Sequence, residues 1–343
     1  MRVAVYYSNN DIRTEERPKP PIGEGEILVR VDASGICGTD CLEWYREKKV
    51  PLVLGHEIAG TIVEAGRAVK GCKAGDRVSA SHHVPCGECR FCLDGHETVC
   101  DTLRSTNFDP GGFSEFVRIP KINIDKGGVY HLPEGMSFEE ATFIEPLACV
   151  VRGERLANFK KDKTVLVLGS GISGALHIQL AKLNGAKRVI ATDISDYRLN
   201  AAKRFGASIA IGASEFTPER LRESNDGLLA DFVIICTGAR SANEQALKYV
   251  ERGGTILFFA ATEKGVTIPL SINDIFWRNE VTLISSYAGS PKDHIEALNL
   301  IGSKKINVRD MITHRLSLKD TGVGFKLVAE AKDSIKVIIE PQR

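Results

Sequence analysis

Between residues 164 and 285 short apolar runs alternate with segments whose apolar positions recur at helical spacing. TVLVLG (164–169), RVIATD (188–193), DFVIIC (231–236) and TILFFA (255–260) read as strands. Helices are expected over 173–184, near 196–205 and near 241–250. Such alternation predicts a parallel sheet with crossover helices. Residues 1 to about 125 carry a different pattern. EILVRVDASG (26–35), IAGTIVEAG (58–66), DRVSAS (76–81) and FSEFVRIP (113–120) are punctuated by turn residues, which predicts an all-β module. Near 137 the spacing turns helical, and Ser137 with Glu140 three residues on has the form of a capping box. The fold class is therefore α/β plus β.

A length of 343 residues suits two domains. Forty-five basic against forty-four acidic residues leave a charge of +1, which argues against a nucleic-acid groove or an anionic membrane as partner. The longest apolar run, Ile256 to Ala261, is six residues, far short of the ~18 of a span. The opening MRVAVYYSNNDIRTEERP lacks the apolar stretch of a signal peptide, so a cytoplasmic location is expected. Of nine cysteines, four crowd into fifteen residues. In a reducing compartment such a cluster reads as metal binding before disulfides.

TVLVLG runs into Gly169-Ser170-Gly171-Ile172-Ser173-Gly174 and a helix, and the next strand ends at Asp193. A G-x-G-x-x-G turn between strand and helix lets a pyrophosphate approach the backbone and sit on unpaired helix amides. An acid at the end of the second strand accepts from the adenosine ribose and repels a 2′-phosphate, favouring NAD over NADP. Arg198 is close enough in sequence to reach the same ribose or to pair with solvent. Thr237, after DFVIIC, falls at a strand carboxyl end, where such sheets bind ligands.

Cys86, Cys89, Cys92 and Cys100 offer four thiolates within one loop, the set of a closed, structural zinc site. Cys37, His56, Glu57 and Glu145 could form a second site with an open position. From the residues alone that grouping is only suggestive. Glu57 and Glu145 serve equally as surface acids, and Cys37 as a buried filler.

In this order C-G-T-D (37–40), G-H-E (55–57), the cysteine loop, E-P-L (145–147) and the glycine turn resemble the zinc-dependent medium-chain dehydrogenases. Within them the chain is similar to the branch of sorbitol, threonine and sugar-alcohol-phosphate dehydrogenases, over nearly its whole length. The resemblance implies a GroES-like catalytic domain at 1–150, a Rossmann domain at 151–286 and a returning segment at 287–343. It implies two zinc ions per chain and NAD. Cys37 and His56 would bind the catalytic zinc, with Glu57 a ligand or directly behind it and Glu145 binding directly or through water. Thr39 would take the substrate proton. Gly169, Gly171, Ile172, Gly174, Asp193, Arg198 and Thr237 would contact the cofactor. The implied activity is reversible hydride transfer between a secondary hydroxyl of a polyol, sugar alcohol or cyclitol and NAD, with L-threonine as the alternative. A homo-oligomer, dimer or tetramer, is expected.

The chain departs from that family at Leu42, where a relay histidine usually stands, so the proton would pass through ribose and water or through a group such as Glu43. His83 has the place of an active-site-wall histidine in threonine dehydrogenases. Asn107–Gly112 reads as a loop able to close over substrate, with Gly111 and Gly112 at positive φ. His177 and Trp277 read as packing residues. A zinc ribbon for RNA conflicts with the neutral charge, and a catalytically retired protein conflicts with the retained site residues.

Overall fold

The computed structural model describes residues 1–343. Six strands of its middle part are β1 (Thr164–Leu168), β2 (Arg188–Asp193), β3 (Ile209–Gly212), β4 (Ala230–Ile235), β5 (Val250–Phe258) and β6 (Thr282–Ser285). Their order in the sheet is β3-β2-β1-β4-β5-β6, with every neighbouring pair parallel. This is the doubly wound order, and its direction reverses between β1 and β4. All five residues of β1 are buried, as a central strand covered by helices on both faces requires. Helices Ile172–Leu183, Asp196–Arg204 and Arg240–Tyr249 fall within a residue or so of the predicted spans. Leu166, Ile190, Val233, Ile235 and Ile256 share one core cluster.

The chain divides into two units, Cys149–Tyr287 carrying this sheet, and Met1–Ala148 together with Ala288–Arg343. In the second of these, strands at Ile27–Gly35, Glu57–Ala65, Arg77–Ala80 and Phe116–Ile119 follow the predicted β runs. Ile27–Gly35 is central: it pairs antiparallel with Glu57–Ala65, with Phe116–Ile119 and with Lys336–Glu340. The last strand of the chain is thereby stitched beside the first long one. Ser137 accepts from the Glu140 amide while Glu140 accepts from the Ser137 amide, completing the predicted capping box.

Two expectations fail. Gly111 and Gly112 are not at positive φ. They are buried where a Cβ would strike the Val53 carbonyl oxygen at 2.3 Å and Ile58 at 2.2 Å, so close packing, not loop freedom, requires them. Trp277 is 67% exposed, because it follows the short helix Ile272–Ile275 on a surface segment. His177, by contrast, is fully buried against Glu154 and Phe259.

Candidate active site

Strand register assembles the first group of donors. Gly35 lies opposite Glu57, so Cys37, two residues beyond, arrives beside His56, one residue before. The ligand atoms of Cys37, His56 and Glu57 lie within 4.8 Å of one another. A thiolate, an imidazole and a carboxylate are the donors zinc prefers. Glu145 is buried on the helix Ile144–Leu156 and does not belong to this close group.

Asp40 holds the arrangement and is completely buried. Its Oδ1 lies 3.4 Å from His56 Nδ1 and 3.5 Å from Arg46 Nη2, and its Oδ2 accepts the Cys37 amide at 3.1 Å. Burial would raise its pKa, but His56, Arg46 and that amide outweigh it and hold the carboxyl below its ordinary range. With Nδ1 facing Asp40, His56 keeps Nε2 as the nitrogen for a metal. Burial would likewise depress His56, yet Asp40 and Cys37 lift its pKa well above 6.5. Asp40 and Cys37 thus favour positive charge at this ring.

Glu57 is 1% exposed and forms an ion pair with the fully buried Lys336, whose Nζ also donates to the Ile36 carbonyl at 3.3 Å. Glu57 Oε1 has no hydrogen-bond partner within the protein. That orphaned oxygen, in a cluster with Cys37 and His56, fits a metal. A Cβ on Gly35 would meet Glu57 Oε2 at 2.2 Å, so only glycine leaves room for the pair. The Thr39 hydroxyl donates to Cys37 Sγ at 3.2 Å and therefore lies against the candidate ligand. Glu43, the sequence-level substitute for a relay, accepts the Asn9 amide at 2.9 Å.

The four-cysteine loop is a second group, also within 4.8 Å. Sγ separations of 3.9 Å (Cys86–Cys92), 3.6 Å (Cys89–Cys92) and 3.6 Å (Cys86–Cys100) match the edge of about 3.8 Å of a tetrahedron with Zn–S bonds of about 2.3 Å. The Cys86 amide points at Cys100 Sγ and the Cys89 amide at Cys86 Sγ. Burial works against the Cys100 thiolate, but the Cys86 and Leu103 amides prevail and bring its pKa to about 6. Backbone amides hold Cys86 and Cys100 towards the thiolate, whereas burial and neighbouring thiols push Cys92 up to about 12. All nine cysteines are free of disulfides.

In the parallel-sheet unit Gly169 has φ of +92°, and a Cβ on Gly174 would strike the Gly169 carbonyl oxygen at 2.0 Å. The turn thus requires both glycines, and Gly171 caps a helix that begins at Ile172. Asp193, 6% exposed, accepts from the Ser170 amide at 2.7 Å and the Ser195 amide at 2.9 Å. It ties the turn to the next strand end and still has lone pairs for a ribose. The Arg198 guanidinium stands about over Gly171, 3.6 Å from where a Cβ would be. Thr237 flanks Gly169 at the carboxyl ends of β1 and β4, the point where the sheet order reverses.

The alcohol dehydrogenase GroES-like domain model matches residues 23–129, and the zinc-binding dehydrogenase model matches 174–303. Sorbitol dehydrogenase of Gallus gallus is 30% identical over 98% of this chain and 95% of its own. L-Threonine 3-dehydrogenase of Bacillus velezensis is 32% identical over 95% and 94%. The chain belongs to the zinc-dependent medium-chain dehydrogenases, in their polyol branch. Its fold superimposes on a zinc-binding dehydrogenase of Sinorhizobium meliloti 1021, solved with NADP bound, with a TM-score of 0.87, 28% identity and 99% of each chain covered. As a medium-chain dehydrogenase this protein is a zinc- and nicotinamide-dependent alcohol oxidoreductase.

Asp40, Arg46, His82, Tyr130, His294 and Lys336 were not assigned roles from the sequence. Asp40 alone carried a signal, since it closes the C-G-T-D motif. Lys336 stands 279 residues from Glu57, and no local pattern links them.

Proposed function

We propose that this dehydrogenase oxidises a secondary hydroxyl of a polyol, sugar alcohol or cyclitol with NAD. Cys37 and His56 would hold the catalytic zinc, with Glu57 as third donor and Glu145 reaching it directly or through water. The four cysteines at 86, 89, 92 and 100 would hold a second, structural zinc. The observation that carries the reading is the convergence of Cys37, His56 and Glu57 donor atoms within 4.8 Å. When bound, zinc supplies Lewis-acid polarisation of the substrate hydroxyl and NAD supplies the hydride acceptor.

The chain's own residues do the rest. Asp40 orients His56 and keeps it from rotating. Lys336 balances the buried carboxylate of Glu57. The Thr39 hydroxyl, beside Cys37 Sγ, takes the substrate proton and passes it on, acting as a conduit because it does not titrate near neutrality. Leu42 offers no imidazole for the next step, so the proton would pass from Thr39 through ribose hydroxyls and water, or through a group such as Glu43. The glycine turn would receive the pyrophosphate, and Asp193 would accept from the adenosine ribose and oppose a 2′-phosphate.

The exposed edge strand β6 and the exposed Ile272 (62%) and Trp277 (67%) support assembly into a homo-oligomer, dimer or tetramer. No helix is long and apolar enough to cross a membrane. A cytoplasmic location is supported by the cluster of four cysteines, a metal-binding set suited to a reducing compartment. The test is NADH formation with sorbitol, xylitol, galactitol phosphate, inositol, L-threonine and butane-2,3-diol. Turnover of the polyols supports the reading; turnover of threonine alone overturns it.

A further inference from the structure

The short segment Ser81–Cys86 joins the two cysteine-containing groups. Near its start the His82 ring centroid lies 4.8 Å from that of His56, and at its end Cys86 is a corner of the four-cysteine loop. Asp40 faces His56 at Nδ1, and His82 packs beside the same ring. The chain around the helix Lys121–Asp125 braces this segment along its length. Asn123 is fully buried, and its side-chain amide donates to the Ser81 and His82 carbonyls at 2.9 and 3.1 Å. The Gly128 carbonyl accepts the Ser81 amide at 2.8 Å, and the Asn123 carbonyl accepts the Gly128 amide at 2.7 Å. A Cβ on Gly128 would strike Val84 Cγ1 at 2.6 Å, so this turn lies directly on the segment. Lys126 Nζ donates to the Cys86 carbonyl at 2.6 Å.

Thr106 supplies a second brace. Its hydroxyl accepts the Val84 amide at 3.1 Å, and its carbonyl accepts His83 Nδ1–H at 2.7 Å. Thr106 also ends the helix Asp101–Ser105, which Cys100 begins. The segment is thus anchored near two of the four thiols: at Cys86 directly, and at Cys100 through one short helix. A metal that closes the four thiolates into a tetrahedron fixes Cys86 and Cys100 relative to each other. It thereby fixes both anchors, and with them the backbone that sets His82 beside His56. We propose that the four-cysteine loop governs metal affinity at the Cys37–His56–Glu57 group through the segment Ser81–Cys86, with Asn123 as the positioning residue that clamps His82 in place. This rests on the reading that both groups bind zinc. Coupling between two such sites is typically worth about 5–150-fold in affinity, and loss of a residue that orients a ligand costs about 10–100-fold.

The test poises free zinc with a metal buffer and reads the metal content of the full chain by elemental analysis. Wild type should fill two sites, and the one missing from Cys37→Ser is the catalytic group. Its affinity should fall by about tenfold or more in Asn123→Ala, in Thr106→Val and in Cys92→Ser, although none of the three residues belongs to that group. Cobalt(II) placed in the same group reports its geometry, and the visible bands should shift in the same variants. Asn225→Ala breaks a comparable set of buried hydrogen bonds in the parallel-sheet unit and should change neither readout. Circular dichroism shows which variants fold, and Thr106→Val, which loses only a hydroxyl acceptor, decides if Asn123→Ala does not. Unchanged affinity and unchanged bands in every folded variant overturn the coupling, while two filled sites in wild type leave the metal reading standing. An equal loss in Asn225→Ala also overturns it, since the effect is then general destabilisation. A wild type that fills only the four-cysteine loop overturns the metal reading of Cys37, His56 and Glu57, and the coupling with it.

Discussion

Lys336, on the last strand of the chain, forms a buried ion pair with Glu57, the residue that follows His56. The pair exists because Gly35 separates the two strands without a side chain, and because Ile338 pairs with Gly35 on one side as Glu57 does on the other. The last strand of the chain therefore reaches the candidate metal group. Removing one partner leaves an uncompensated charge, so Lys336→Met should cost about 3–5 kcal/mol. Urea denaturation measures this, and elemental analysis should show weaker zinc retention. A variant as stable as wild type would mean that Glu57 is protonated or rests on the metal alone.

The two cysteine groups should separate by phenotype. Cys92→Ser removes one corner of the tetrahedron, so zinc should fall from two ions per chain towards one, and stability should drop. Cys37→Ser should abolish activity while thermal unfolding of the remaining fold changes little. Equal zinc content in Cys92→Ser and wild type would contradict the structural assignment.

Cofactor choice rests on Asp193. Its carboxylate accepts from two backbone amides and keeps lone pairs for a ribose. A 2′-phosphate would bring like charge to that place. NAD should therefore exceed NADP in kcat/KM, and Asp193→Ala should narrow the gap while loosening the turn at Ser170. A preference for NADP in the wild type would contradict the role given to Asp193, whatever related proteins bind.

His83 gives a pH dependence. Its Nδ1–H donates to the Thr106 carbonyl at 2.7 Å, and burial brings its pKa down to about 4. Between about pH 6.5 and 4 the unfolded chain takes up a proton that the folded chain refuses, so stability is full above 6.5 and falls as pH drops. At about 1.4 kcal/mol per pH unit the loss is at most about 3 kcal/mol. Urea midpoints at pH 7.5 and 4.5 should converge more in His83→Gln than in wild type. Identical pH slopes would show that His83 does not contribute.

The parts legible in the sequence are those whose cause is local. The strand Thr164–Leu168 is buried on both faces, so four consecutive apolar residues, Val165 to Leu168, announce it. Ser137 and Glu140 announce a helix start three residues apart. The four cysteines are close in the chain and close in space. Relationships built by strand register were not legible: Lys336 finds Glu57 only through pairing of three strands, and His294 meets Tyr130 only after the carboxyl-terminal segment returns. Gly111 and Gly112 show the converse error. Their local form suggests a mobile loop, but their neighbours Val53 and Ile58 come from elsewhere in the chain. Trp277 reads as a packing residue from its type, yet the surface segment after Ile275 leaves it exposed.

The central claim is that the Cys37–His56–Glu57 group works through zinc in alcohol oxidation. The most direct measurement follows NADH formation from xylitol and NAD before chelation, after chelation, and after zinc is returned, with metal content read at each stage. Activity should vanish with the catalytic ion and come back with it. Full activity in a preparation that holds no zinc would contradict the account.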